Sequence, residues 1–207
     1  MNKKTKLILA VVSILAVLAV SGVIAYFTDI STVINNATMG IVDIDLKEYT
    51  TDENGNKVEW SDKKQVVPGE TISKIPEITC VEGSVDCYVR VRIEITSKDE
   101  ELQNAIEKVT VNVNEEDWYY CETDGYFYYK EILTDKSEPI EIFSEVKIPH
   151  ELDNKWSLEE FLIGVTAEAI QAQNFTPDFS EDSTEPWPGI SSSDIQECIY
   201  PDHVKYE

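Results

Sequence analysis

The stretch Tyr88-Val89-Arg90-Val91-Arg92-Ile93-Glu94-Ile95, "YVRVRIEI", decides how the chain is read. Its side chains alternate with period two: Val89, Val91, Ile93 and Ile95 point one way, Arg90, Arg92 and Glu94 the other. That is the pattern of a β-strand with one face in a core and the other toward solvent or a groove. The same alternation starts earlier, at Ile41 to Leu46, "IVDIDL", and returns in "VTVNV" after a short surface helix over 99–108, "DEELQNAIEK". Turn signals separate the strands. Asn54-Gly55 sits inside the polar stretch "TTDENGNKVEW", and Pro68-Gly69 reverses the chain before Ile72.

Further along, "DWYYCETDGYFYYKEIL" holds two aromatic runs around an Asp-Gly turn, a hairpin in which Trp118, Tyr120, Phe127 and Tyr129 pack across the pair. "PIEIFSEVKIP" adds a further strand pair. The segment 156–174, "WSLEEFLIGVTAEAIQAQN", carries a capping box at Ser157–Glu160 but alternates beyond it. It is read as a helical turn at 157–160 and a strand from Phe161 to Ala172. From Thr176 onward, prolines, serines and acids predict a loop-rich tail. Many short strands with a short helix or two make an all-β chain, an antiparallel β-sandwich of jelly-roll type.

The N-terminus has its own logic. Lys3, Lys4 and Lys6 precede Leu7–Ala25, "LILAVVSILAVLAVSGVIA", an uncharged run ending in small residues. This order predicts a signal peptide cut between Ala25 and Tyr26. A retained anchor is the alternative, since the run approaches the length that spans a bilayer. The organisation read from the sequence is a leader at 1–25, an N-terminal segment at 26–40, a β-domain at 41–175 and a tail at 176–207.

The chain has 40 acidic and 17 basic residues, a formal charge of −23, and loss of the three leader lysines takes it to −26. Nucleic acid and anionic lipid are therefore poor partners. Cys80, Cys87, Cys121 and Cys198 are even in number and, in an exported chain, are expected as two disulfides. Three connectivities exist. The spacing "CVEGSVDC" closes a short turn-containing loop and favours Cys80 with Cys87, which leaves Cys121 with Cys198.

Catalytic signatures are weak. A zinc-protease helix needs His-Glu-x-x-His, and here His150-Glu151 stands alone with His203 in the tail. "GISSSD" lacks a nucleophile-elbow context. Acidic groups such as Glu115, Glu116 and Asp117, or Asp178, Glu181 and Asp182, suit solvated faces with weak Ca2+ binding at most, because the spaced ligands and glycine of a calcium loop are missing. No enzyme, cofactor or resident metal is expected.

Taken in order, the leader ending "SGVIAYFTD", "NATMGIVDIDL", "VVPGE", "YVRVRIEI", "DGYFYYKEIL", and "VTAEAIQAQNF" followed by "PW" resemble the TasA/camelysin family over most of the chain. The resemblance implies a jelly-roll protein exported through a SipW-type signal peptidase to the bacterial surface or biofilm matrix. It also implies fibre formation, in which the segment after the cleavage site completes the sheet of the next subunit, so that "YFTDISTVI" is similar to a donor strand. Tyr26, Ile30 and Ile34 form its more apolar face; Phe27 and Val33 lie on the other. The partners implied are further copies of the chain, with an accessory matrix protein or the cell wall. The four cysteines depart from the family pattern. A monomeric secreted binding or adhesion module is the rival reading, and a camelysin-like metallopeptidase the third.

Overall fold

The long strand built on "YVRVRIEI" is the spine of the molecule. In the computed structural model, which describes residues 40–61, 65–152, 156, 160–180 and 182–200, it runs as β5 over Cys87–Ser97. Before it come β1 (Ile44–Thr51), β2 (Lys57–Glu59), β3 (Thr71–Ser73) and β4 (Ile75–Cys80). After it come α1 (Glu100–Ile106), β6 (Thr110–Val111), β7 (Trp118–Cys121), β8 (Tyr126–Tyr129), β9 (Ile140–Glu141), β10 (Glu145–Lys147), β11 (Phe161–Gln171) and β12 (Gln196–Tyr200). The strand pairs are antiparallel throughout the described residues.

Three sheets result, ordered β2-β1-β4-β9, β3-β10-β6 and β12-β11-β5-β8-β7. The first two are stitched together where β1 meets β3, by Thr50 Oγ1–H to Ser73 O at 2.8 Å and Thr51 N–H to Ser73 Oγ at 3.0 Å, and by Lys74 N–H to Ser144 O at 3.1 Å. They share one apolar core with the five-stranded sheet. Ile44, Leu46 and Ile78 from the first sheet, Ile72 and Val146 from the second, and Val89, Val91, Val165 and Ala167 from the third meet there. Val89, Val91, Ile78 and Ile106 are fully buried, and each such side chain contributes about 1.5–3 kcal/mol. β5 and β11 pair along their whole length, from Cys87↔Gln171 to Ser97↔Phe161, so the period-two reading of both segments holds.

Local chemistry explains the smaller elements. Asp99 caps α1 by accepting the Leu102 N–H at 2.8 Å, and Leu102 and Ile106 turn into the core. The hairpin between β1 and β2 closes with Gly55 at φ 83°, its loop organised by the Asp52 carboxylate, which accepts from the Asn54 and Asn56 amides. At Pro68-Gly69, Gly69 has φ 79°, and a β-carbon there would lie 2.1 Å from the His150 ring. Only glycine satisfies both conditions.

Several expectations change. The first strand begins at Ile44 and extends to Thr51; Ile41 is 73% exposed. β9 and β10 are strands, but they do not pair: β9 joins β4 in one sheet and β10 lies between β3 and β6 in another. The tail is not only loop, because β12 pairs with β11 from Val165↔Tyr200 to Ala169↔Gln196. The boundary at 175 therefore cuts through a sheet. The leader, the cleavage site at Ala25 and Tyr26, and the donor residues Tyr26, Phe27, Ile30, Val33 and Ile34 lie outside the described residues, as do His203, Glu181 and most of the 157–160 turn.

Candidate interaction site

A sheet edge carries unpaired backbone groups, so a binding site for an added strand is sought at the edges. β2, "KVE", and β12, "QECIY", bear charges that discourage pairing, while β3, β6 and β9 have two or three residues each. β7, "WYYC", is different: an uncharged edge strand, paired only with β8 among the described strands.

The ladder parity of β7 follows from the Lys130 N–H to Asp117 O bond at 3.0 Å. Alternate residues bond across an antiparallel pair, so Asp117, Tyr119 and Cys121 face β8 with their amide groups and Trp118 and Tyr120 face outward. The Trp118 N–H is taken by Asn114 O at 3.0 Å. The Tyr120 N–H and C=O point to the open edge. Beside that edge lies a groove of about 420 Å³ lined by Val111, Val113, Glu115, Trp118, Tyr119, Tyr120, Phe127 and Lys130. Of the cross-strand aromatics expected from the sequence, Trp118, Tyr120 and Phe127 line it; Tyr120 packs on Phe127 at 4.6 Å between ring centroids, and Trp118 packs on Tyr129, outside the groove, at 5.2 Å. Trp118 is buried and donates its Nε1–H to Glu141 O at 3.2 Å, whereas Tyr120 is half exposed. Lys130 ties one end by donating to Glu115 O and Glu116 O.

The other face of the five-stranded sheet was expected to be wet or grooved. It is covered. The segment 175–195 lays Phe175, Phe179, Trp187, Ile190 and Ile195 over a second small core with Cys121, Tyr126, Tyr128 and Ile170. Arg90 sits at its centre. Its Nε and Nη2 donate to one oxygen of Glu168 at 2.7 and 2.6 Å, and Nη1 donates to Tyr128 Oη at 3.0 Å. Its guanidinium lies 4.1 Å from the Tyr126 ring centroid and 4.8 Å from that of Trp187. Tyr126 donates to the second Glu168 oxygen at 2.7 Å, and Tyr128 donates to Asp124 at 2.5 Å. Arg90, Glu168, Tyr126 and Tyr128 are each hydrogen-bonded within this buried set, which rigidifies the fold, while the Trp187 Nε1–H is buried without a hydrogen-bond partner among the described residues.

Burial, followed by the hydrogen bond to Glu168, pushes the Tyr126 phenol up to about 12; burial and Asp124 push Tyr128 further. These raised values make the folded state hold protons that the unfolded chain releases near pH 10. Stability from both phenols is complete below that pH and is lost as pH rises toward 12, at about 1.4 kcal/mol per pH unit for each group. A melting series from about pH 8 to 12 is expected to show this fall. Tyr126→Phe melts lower at pH 8 but with a shallower alkaline slope.

The cysteines divide. Cys80 and Cys87 are free thiols buried in the main core, close enough that Cys80 adds to the effect of burial in raising the Cys87 pKa. Cys121 belongs to the second core, on β7, and Cys198 packs toward the main core from β12, at the opposite edge of the same sheet. Four strand spacings of about 4.8 Å separate these edges, and the side chains point to opposite faces, so this fold does not bring Cys121 to Cys198. His150 packs against the Pro68-Gly69 turn. Among the described residues no three His, Cys, Asp or Glu side chains cluster as metal ligands, and no helix is long and apolar enough to cross a membrane. No family model, curated protein or solved structure matches the chain.

Proposed function

We propose that the chain is a secreted structural subunit of bacterial surface or biofilm-matrix fibres, a jelly-roll domain assembled head to tail by donation of its N-terminal strand. Cleavage between Ala25 and Tyr26 by a SipW-type peptidase frees residues 26–34, and this strand adds to the β7 edge of the next subunit. The observation that carries the reading is the juxtaposition at β7: an uncharged edge with outward backbone groups, flanked by an apolar aromatic groove. Backbone bonds to Tyr120 supply affinity, and alternate donor side chains, Tyr26, Ile30 and Ile34, fill the groove. A head-to-tail contact of this kind does not close on itself and so propagates as a filament. The charge of the mature chain makes lateral bundling sensitive to salt and to Ca2+.

Electron microscopy and light scattering on chains starting at Tyr26 and at Asn35 test this. The longer chain is expected to form filaments and the shorter to remain monomeric and folded. If both stay monomeric, the secreted binding module takes its place. That second reading is supported by the half-exposed Tyr120 ring stacked on Phe127, a platform on which a sugar ring can pack.

A further inference from the structure

The N-terminal segment joins the domain at Gly40, and what holds it there is the loop between β4 and β5. Residues 40–44 run against residues 80–85 step by step. Val81 N–H donates to Asp43 O at 3.0 Å, Val85 N–H to Ile41 O at 3.1 Å, and Asp43 N–H to Ser84 Oγ at 2.9 Å. Ile44 is the ladder partner of Cys80. Gly40 lies so close to Val85 that a β-carbon would stand 2.1 Å from its Cγ1. The loop therefore grips the root of the segment through main chain, a side-chain hydroxyl and van der Waals contact together.

Two cysteines stand at the ends of this loop. Cys80 closes β4, in the four-stranded sheet, and Cys87 opens β5, in the five-stranded sheet, where both its N–H and its C=O bond Leu133 at 2.9 Å. Both side chains are turned into the same core, 3% and 0% exposed. Cys121 lies in the second core, on the other face of the five-stranded sheet, and Cys198 is level with Ala167 and Val91, four positions along β5 from Cys87, so Cys80 is the cysteine placed to partner Cys87.

We infer that the 81–86 loop is a clamp for the root of the N-terminal segment, and that a Cys80–Cys87 disulfide formed during export locks it shut. The reaction is thiol–disulfide exchange. One cysteine thiolate attacks the disulfide of a protein or small-molecule oxidant, and the second displaces it; the two cysteines lose two protons and two electrons in all, and the oxidant leaves as two thiols. Burial holds the Cys87 thiol up at about 12, so little thiolate exists once the domain has closed. Oxidation therefore belongs to folding, and the finished bond is sheltered from external thiols. The mechanical value of the clamp rests on the fibre reading: tension along a donated strand enters the domain at residues 40–43, and the bond passes it to both sheets.

The test uses the full chain exported from a host with an oxidising extracytoplasmic space. After alkylation without reductant, cleavage after Glu82 separates the two cysteines in sequence; the fragments are expected to stay joined until reduced. Cys80 and Cys87 both found alkylated, or either linked to Cys121 or Cys198, would overturn the inference. In the Cys80→Ala/Cys87→Ala variant the melting midpoint is expected to fall by about 5–10 °C. Amide exchange at Asp43, Val81 and Val85 should rise at least about tenfold relative to Tyr128. A uniform rise across the domain, or none, overturns the clamp. A mapped bond and a working clamp in a chain that makes no filaments leave this inference standing and remove the fibre reading. Filaments built from chains with both cysteines alkylated do the reverse.

Discussion

Glu168→Ala is expected to destabilise the folded domain by about 3–5 kcal/mol. Glu168 is 7% exposed and receives two guanidinium bonds from Arg90 and one phenolic bond from Tyr126. Its removal leaves the Arg90 guanidinium under Trp187, Tyr126 and Tyr128 with Asp124, 3.9 Å from Nη1, as its remaining counter-charge. With a typical total of about 5–15 kcal/mol, such a loss moves the urea midpoint far enough to leave the variant partly unfolded at growth temperature. The physical cause is separable from packing. Removing both charges together, as Arg90→Met with Glu168→Leu, is expected to restore most of the lost stability, because the cost lies in the orphaned charge rather than in the absence of the pair. A double variant as unstable as Glu168→Ala would contradict this account of the second core.

Tyr120→Pro is expected to abolish filament growth while leaving the domain folded. Its N–H faces the open edge, so proline removes the donor offered to an incoming strand and none of the β7–β8 bonds. The fold loses the Tyr120–Phe127 stacking, worth about 0.5–1.5 kcal/mol. Tyr120→Phe keeps both the N–H and the ring, and is expected to polymerise like the parent. A sharper outcome comes from mixing. The Tyr120→Pro chain keeps its own N-terminal strand and so adds to one end of a parental filament, but it offers no edge to the next subunit. Small amounts should shorten parental filaments by capping them, in light scattering and in length distributions from micrographs. Unchanged filament length would place the acceptor elsewhere.

Local patterns carried much of the fold. The strand at 88–95, the Asn54-Gly55 and Asp124-Gly125 hairpins, the helix behind Asp99, the aromatic pairs Trp118–Tyr129 and Tyr120–Phe127, and the strand over 161–171 were all readable from period and turn chemistry. These features are decided within a few residues of themselves. The second core was not readable in the same way. Two arginines on alternate positions ordinarily mark a wet face, and the carboxylate that makes Arg90 burial tolerable is 78 residues away. Its cover sits in a segment whose prolines and acids suggest only loop. A signal was present all the same: Phe175, Phe179, Trp187, Ile190 and Ile195 are more large apolar side chains than a solvated tail needs. Likewise, nothing in "PIEIFSEVKIP" tells that its two strands belong to different sheets, because each pairs with a segment dozens of residues earlier. The β7 edge became recognisable only when the sheet order placed its hairpin outermost.

The most direct test of strand donation is amide exchange at Tyr120 in the chain starting at Asn35, with and without a synthetic peptide of residues 26–34. The account predicts that the peptide slows exchange at Tyr120 while Tyr119, already bonded to β8, changes little. A peptide that leaves Tyr120 unprotected, or protects a different edge, would contradict it.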